Sequence, residues 1–203
     1  MSAAESRADT ETWTVRPRRR LRRGLSFVAL SLCALWILSR CVVVPYRITG
    51  SSMLPTLVGE EPGGRIRGDV VLVNRLSYLF GRPRRWDIVV VRRGDSGEDV
   101  VDRETVKRIV GLPGETIDIR DGVIHVGGVP VRPPLPASGR YVVSKGPYGH
   151  APVTLRSDEY FLVGDNSYLS RDSRAWGPVH RNHIMGGRVF LVLLPVSRFG
   201  RIR

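Results

Sequence analysis

Residues 118–131 read DIRDGVIHVGGVPV. Two dipeptides, Asp121-Gly122 and Gly127-Gly128, interrupt short runs of Val and Ile. Each is the kind of pair that a two-residue hairpin turn selects, because both central positions of that turn need positive φ. The stretch therefore predicts a small antiparallel hairpin, and it sets the pattern for most of the chain. Outward from it, DVVLVN (69–74), WDIVVV (86–91) and VFLVLL (189–194) are Val-rich runs bounded by Gly, Pro or Arg, as strands are. Gly and Pro, 22 and 14 residues, punctuate them throughout. VFLVLL stops at Pro195, far short of a bilayer's width. Arg132–Arg156, with Pro133, Pro134, Pro136, Pro147 and Pro152, predicts an irregular insertion. Hairpin and insertion together fill about 118–156. Residues 45–203 thus read as one mainly β domain of antiparallel sheets, without internal repeats.

The N-terminal part is different. Residues 1–24 form a polar tail ending in a basic run, Arg16, Arg18, Arg19, Arg20, Arg22 and Arg23. Residues 25–44, LSFVALSLCALWILSRCVVV, carry one charge, Arg40. A helix of that length spans about 30 Å, the thickness of a bilayer core. The basic flank stays in the cytoplasm and the remainder is exported. This predicts a single-pass anchor in the cytoplasmic membrane, with Arg40 snorkelling to the interface. A cleavable signal peptide has the same layout, although no small-residue cleavage site follows the apolar run. A buried core helix is also open, since the uninterrupted part, Leu25–Ser39, is 15 residues long.

The 203 residues carry a formal net charge of +13, which suits a polyanionic partner. Zinc-knuckle spacing, an aromatic RNP-type strand and a recognition-helix pattern are all absent from the sequence. The expected partner is therefore the membrane lipid surface, not nucleic acid. Of 32 basic residues, 30 are Arg and only Lys107 and Lys145 are Lys. Such usage points to a G+C-rich genome, and it makes a lysine inside an apolar segment conspicuous. Arg stays protonated in proteins, whereas a buried Lys can give up its proton. Cys33 and Cys41, eight residues apart, would be about 12 Å apart on one helix, too far for a disulfide.

Chemistry concentrates in three segments: GSSMLPTL (50–57), KRIVGLPGE (107–115), and GDNS (164–167) continuing through Ser170 and Asp172-Ser173-Arg174 to Trp176-Gly177. A fourth, GDVVLVNR (68–75), lies between the first two. Alone, each reads as a turn or a solvated strand. In this order they resemble the signature boxes of the bacterial type I signal peptidases, from the serine-Met-x-Pro-Thr box to the closing Trp-Gly. The resemblance runs from the anchor almost to the C-terminus. It implies that Ser52 is the nucleophile and Lys107 the general base. Ser170 would orient the lysine amine, and Asp172 and Arg174 would support the site. It further implies an oxyanion hole using the Ser52 backbone N–H. Where the family sometimes has a hydroxyl two residues earlier, this chain has Gly50. Ile48, Gly50, Met53, Thr105 and Val106 would line the substrate pocket. The implied fold is the β-fold shared with the self-cleaving SOS-repressor proteases. The implied activity is removal of signal peptides from exported preproteins after an Ala-x-Ala site, near the export translocon, with no cofactor or metal.

The residues support that chemistry independently. A serine hydroxyl needs a base within hydrogen-bond reach. Free lysine at pH 7 is neutral only about once in 2,500 molecules, and burial corrects this by disfavouring the ammonium. Val106, Ile109 and Val110 give Lys107 an apolar setting, and strand alternation sends Arg108 to the other side. Ser52 follows the apolar segment by eight residues, which predicts a site at the outer bilayer surface. A Ser-His-Asp triad is the rival within peptidases, but His125, His150, His180 and His183 sit in no recognisable motif and GxSxG is absent. His180 and His183 have metal-compatible spacing without HExxH. An SOS repressor would carry a DNA-binding domain in place of the anchor. A catalytically dead binding module would not need Ser52, Lys107 and Ser170 together.

Overall fold

The computed structural model describes residues 18–60, 63, 67–79, 81–93, 103–134 and 151–202. Most of the expected irregular insertion, residues 135–150, and residues 1–17 of the basic tail lie outside these. The chain divides into two compact units, Met1–Arg40 and Cys41–Arg203.

A helix, α1, runs Arg18–Val42. Leu25, Phe27, Val28, Leu30, Leu32, Leu35 and Trp36 are all exposed on it. These residues spread well beyond one stripe of the helix, so no single stripe faces a core. Among the described residues no helix is long and apolar enough to cross a membrane. The expected apolar segment reached Val44, but the helix stops two residues earlier. Val43–Arg47 instead forms strand β1, antiparallel to Val70–Asn74, β2, with Val43 opposite Asn74 and Val44 opposite Val73. Three successive β-branched valines favour the extended backbone. Pro45 cannot continue a helix, and it is tolerated here because β1 lies at a sheet edge.

The second unit is β-rich. Its large sheet also takes in β3 (Ile88–Arg93), β4 (Arg103–Gly111), β9 (Glu159–Val163), β10 (Val179–His180) and β11 (Ile184–Leu194). The order is β1-β2-β11-β3-β4-β9-β10, with the short β12 (Gly200–Arg201) beside β11. A second sheet has the order β7-β6-β5-β8, from Thr116–Arg120 (β5), Val123–Val126 (β6), Val129–Val131 (β7) and Val153–Thr154 (β8). Every strand pair is antiparallel. Both turns of the small sheet fall where the dipeptides placed them, with positive φ at Asp121, Gly122, Gly127 and Gly128.

β3 explains the unbroken apolar run at 88–91. Ile88 and Val90 enter one core cluster with Ile48, Met53, Leu57 and Val106, while Val89 and Val91 enter another with Ile109 and Leu162. Both faces of the strand are covered, so both must be apolar. A third cluster, including Val110, Ile117, Ile124 and Phe161, joins the two sheets. β11 is 11 residues long, nearly twice the six-residue run read from sequence. Its register shifts between Met185 and Arg188. At Gly187 a Cβ would lie 1.9 Å from Asn74 O, so only glycine fits that approach.

Candidate active site

Ser52 lies in the turn-rich segment that follows β1, half-buried. Lys107 projects from the middle of β4, at 2% exposure. Their side chains meet: Lys107 Nζ is 2.9 Å from Ser52 Oγ. The amine also lies 2.9 Å from Thr105 Oγ1 and donates to Val106 O at 2.9 Å. Burial pushes its pKa down to about 8 from the usual 10.5. Asp172 and then Asp165 pull it up, and Arg174 pushes it down. At that value about one amine in ten is neutral at pH 7, against about one in 2,500 for a free lysine.

The next residue of β4 is treated in the opposite way. Arg108, 1% exposed, donates through Nε and Nη2 to the two oxygens of Asp165, each at 2.7 Å, and through Nη1 to Trp86 O at 3.0 Å. Asp165 Oδ2 also accepts the hydroxyl of Thr56, and Asn166 N–H donates to Ser52 O at 3.0 Å. The segment carrying Ser52 is thereby tied to the 164–167 turn, and that turn to β4. A bidentate guanidinium–carboxylate pair fixes orientation as well as distance. This holds the loop that carries Ser52 in register with the strand that carries Lys107.

A second buried pair fixes the other wall. Arg174 Nε and Nη2 donate to Asp172 Oδ1 and Oδ2 at 2.8 and 2.7 Å, both residues being fully buried. Asp172 also caps the short helix α2, Ser173–Trp176, by accepting from Arg174 N–H, and it accepts Gly164 N–H at 2.9 Å. Arg174 Nη1 donates to Ser167 Oγ at 2.6 Å. A Cβ at Gly164 would lie 2.2 Å from Ser170 Oγ and 2.5 Å from Ser52 O. Close approach of the two serine-bearing segments therefore requires glycine there.

The other expected residues are placed less simply. Ser170 is buried against this wall, but its hydroxyl has no hydrogen-bond partner among the described residues. The amine's second hydroxyl contact is with Thr105 instead. Ile48, Met53 and Val106 are 2%, 1% and 6% exposed and pack in one core cluster. They pack there against residues of β2, β3 and β11. Thr105 turns its hydroxyl to Lys107, and Gly50 is exposed at φ +83°. A cavity of about 220 Å³ lies between β1 and β4, lined among others by Val44, Tyr46, Val90, Arg92 and Glu104.

The family model described as signal peptidase, peptidase S26, matches residues 21–193. The chain belongs to the signal peptidase family. It is 30% identical over 185 residues to a signal peptidase I of Leptolyngbya laminosa, covering 90% of this chain and 84% of that protein. It is 33% identical over 181 residues to a signal peptidase I of Bacillus caldolyticus, covering 85% and 91%. It is 34% identical over 155 residues to signal peptidase I V of Bacillus subtilis, covering 71% and 83%. Membership makes this chain a peptidase, and within a signal peptidase Arg108, Asp165 and Thr56 are the residues that motif reading passed over. A signal existed: an arginine inside an apolar strand needs a buried carboxylate. Thr105 was legible too, standing two residues before Lys107 on the same strand face.

Proposed function

We propose that this signal peptidase is a membrane-anchored serine endopeptidase that removes N-terminal signal peptides from exported preproteins after Ala-x-Ala-type sites. The observation that carries the reading is the 2.9 Å contact between Ser52 Oγ and a buried Lys107 amine that, among the described residues, has no carboxylate in hydrogen-bond contact. A neutral Lys107 takes the hydroxyl proton as Ser52 Oγ bonds to the scissile carbonyl carbon. The carbonyl electron pair moves onto oxygen, where the Ser52 backbone N–H stabilises it. The ammonium then protonates the leaving amine as the C–N bond breaks, leaving an acyl-Ser52 ester. Lys107 next takes a proton from water, the hydroxide adds to the ester, and collapse returns the proton to Ser52. Asp172–Arg174 and Arg108–Asp165 hold the two segments in place.

Strand pairing supports the substrate mode. β4 pairs with β3 from Arg103 to Arg108, and with β9 only from Arg108 onward. The edge from Arg103 to Lys107 therefore faces the free edge of β1, with Tyr46 Oη donating across to Glu104 O at 3.1 Å. An extended segment can add as a strand there. Its upstream side chains would face the β1–β4 cavity.

The anchor reading rests on residues 25–44 and on apolar side chains exposed around α1. Water would penalise such a helix, and lipid would not. The basic flank puts the N-terminus in the cytoplasm, the peptidase unit outside, and the enzyme beside its emerging substrates and the translocon. Detergent-solubilised protein incubated with an Ala-x-Ala preprotein should release the mature chain, and Ser52→Ala should not. Undiminished cleavage by Ser52→Ala would sink the reading.

A further inference from the structure

The hydrogen bonds around Lys107 leave the orientation of its lone pair to one neighbour. A neutral primary amine has two N–H groups and one lone pair. Of the three oxygens around Nζ, Val106 O can only accept, whereas the hydroxyls of Ser52 and Thr105 can each donate or accept. If Thr105 donated into the lone pair, the amine would offer Ser52 an N–H and could not take its proton. If Thr105 accepts, the two N–H groups are used on Thr105 Oγ1 and Val106 O, and the lone pair falls on Ser52 O–H. After proton transfer the ammonium's three N–H groups meet the same three oxygens without rotating.

We propose that Thr105 is a positioning residue whose hydroxyl oxygen accepts one N–H of Lys107 and so aims the amine lone pair at Ser52. The inference rests on the Ser52/Lys107 reading and adds to it a residue on the base's own strand. Ser170 does not compete for the task in this arrangement, since its buried hydroxyl makes no hydrogen bond among the described residues. The charged groups acting on Lys107 are Asp172, Asp165 and Arg174, and all three are already committed to the Arg174–Asp172 and Arg108–Asp165 pairs. None of them supplies the missing direction.

The test is the pH profile of kcat/KM for preprotein cleavage by the detergent-solubilised full chain, compared among wild type, Thr105→Val and Thr105→Ser. Valine has the shape of threonine without its acceptor. The plateau should fall about 10- to 100-fold, the range for a lost hydrogen bond to a charged group. The acid limb should also move to lower pH, because an acceptor removed from an ammonium favours the neutral amine. Thr105→Ser should restore both. A role in folding alone would lower the amount of active enzyme without displacing the limb. Thr105→Ala repeats the comparison if the valine variant does not fold. A Thr105→Val plateau within twofold of wild type, or an unmoved limb, overturns the inference, as does failure of serine to restore. Ser52→Ala run alongside separates the two readings: its inactivity with an unaffected Thr105→Val removes only Thr105, whereas its full activity removes the dyad.

Discussion

The two sides of β4 solve the same problem in opposite ways. Lys107 and Arg108 are adjacent, point to opposite sides of one strand, and are almost equally buried, at 2% and 1% exposure. Arg108 meets a carboxylate with two parallel hydrogen bonds and two further groups lock the pair in place. Among the described residues Lys107 meets only neutral oxygens, and its pKa falls to about 8. A buried charge survives when it is paired; unpaired, it is expelled as a proton. One side of the strand therefore keeps a permanent charge, and the other a removable one, which is the one the proposed mechanism uses.

Exchanging the two kinds of base breaks the contrast most severely. Lys107→Arg places a group that stays protonated beside Ser52. Preprotein cleavage should fall about 10³-fold or more, with the fold retained in circular dichroism. Activity within tenfold of wild type would mean that deprotonation at 107 is not needed. On the other side the effect should be on stability. Arg108→Met removes the guanidinium that pairs with the buried Asp165 carboxylate, at a cost of about 3–5 kcal/mol, read by denaturant unfolding. Arg108→Met combined with Asp165→Leu should recover much of that loss. A harmless Arg108→Met would show that the pair is not structural.

How much of this contrast was visible beforehand differs between its sides. The Ser52 and Lys107 boxes stood out because lysine is so rare in this chain. The hairpin turns at Asp121-Gly122 and Gly127-Gly128 were legible because positive φ is written into those residue types. Arg108–Asp165 was not, because its partners are 57 residues apart and nothing local to either names the other. That the helix ends at Val42, inside the apolar run 25–44, was not legible because apolarity does not distinguish helical valines from the strand valines of β1. That Ile48, Met53 and Val106 share one core cluster was not legible, because packing with distant strands decides such positions.

A smaller effect sharpens the comparison through pH. The folded pKa of Lys107 lies below its unfolded value, so the unfolded chain binds the extra proton between about pH 8 and 10.5. Stability attributable to this site therefore rises with pH through that window, and the cost of holding an ammonium is fully present below it. Lys107→Met should be more stable than wild type at pH 7, by at most roughly 3 kcal/mol. The gap should close as pH approaches 10.5. Comparing the two proteins removes the contribution of Tyr46, Tyr78 and Tyr160, whose raised pKa values act in the opposite direction. A gap that is constant with pH would show that Lys107 is not desolvated.

The central claim is that Lys107 is a lysine held ready to lose its proton, and it can be measured on the amine itself. The chain contains only two lysines, Lys107 and Lys145, so lysine labelled with ¹⁵N and ¹³C yields two side-chain signals in the detergent-solubilised protein. Lys145→Arg assigns them. The account predicts that the Lys107 signal titrates near pH 8. A Lys107 signal that titrates at the ordinary value of about 10.4 would contradict it.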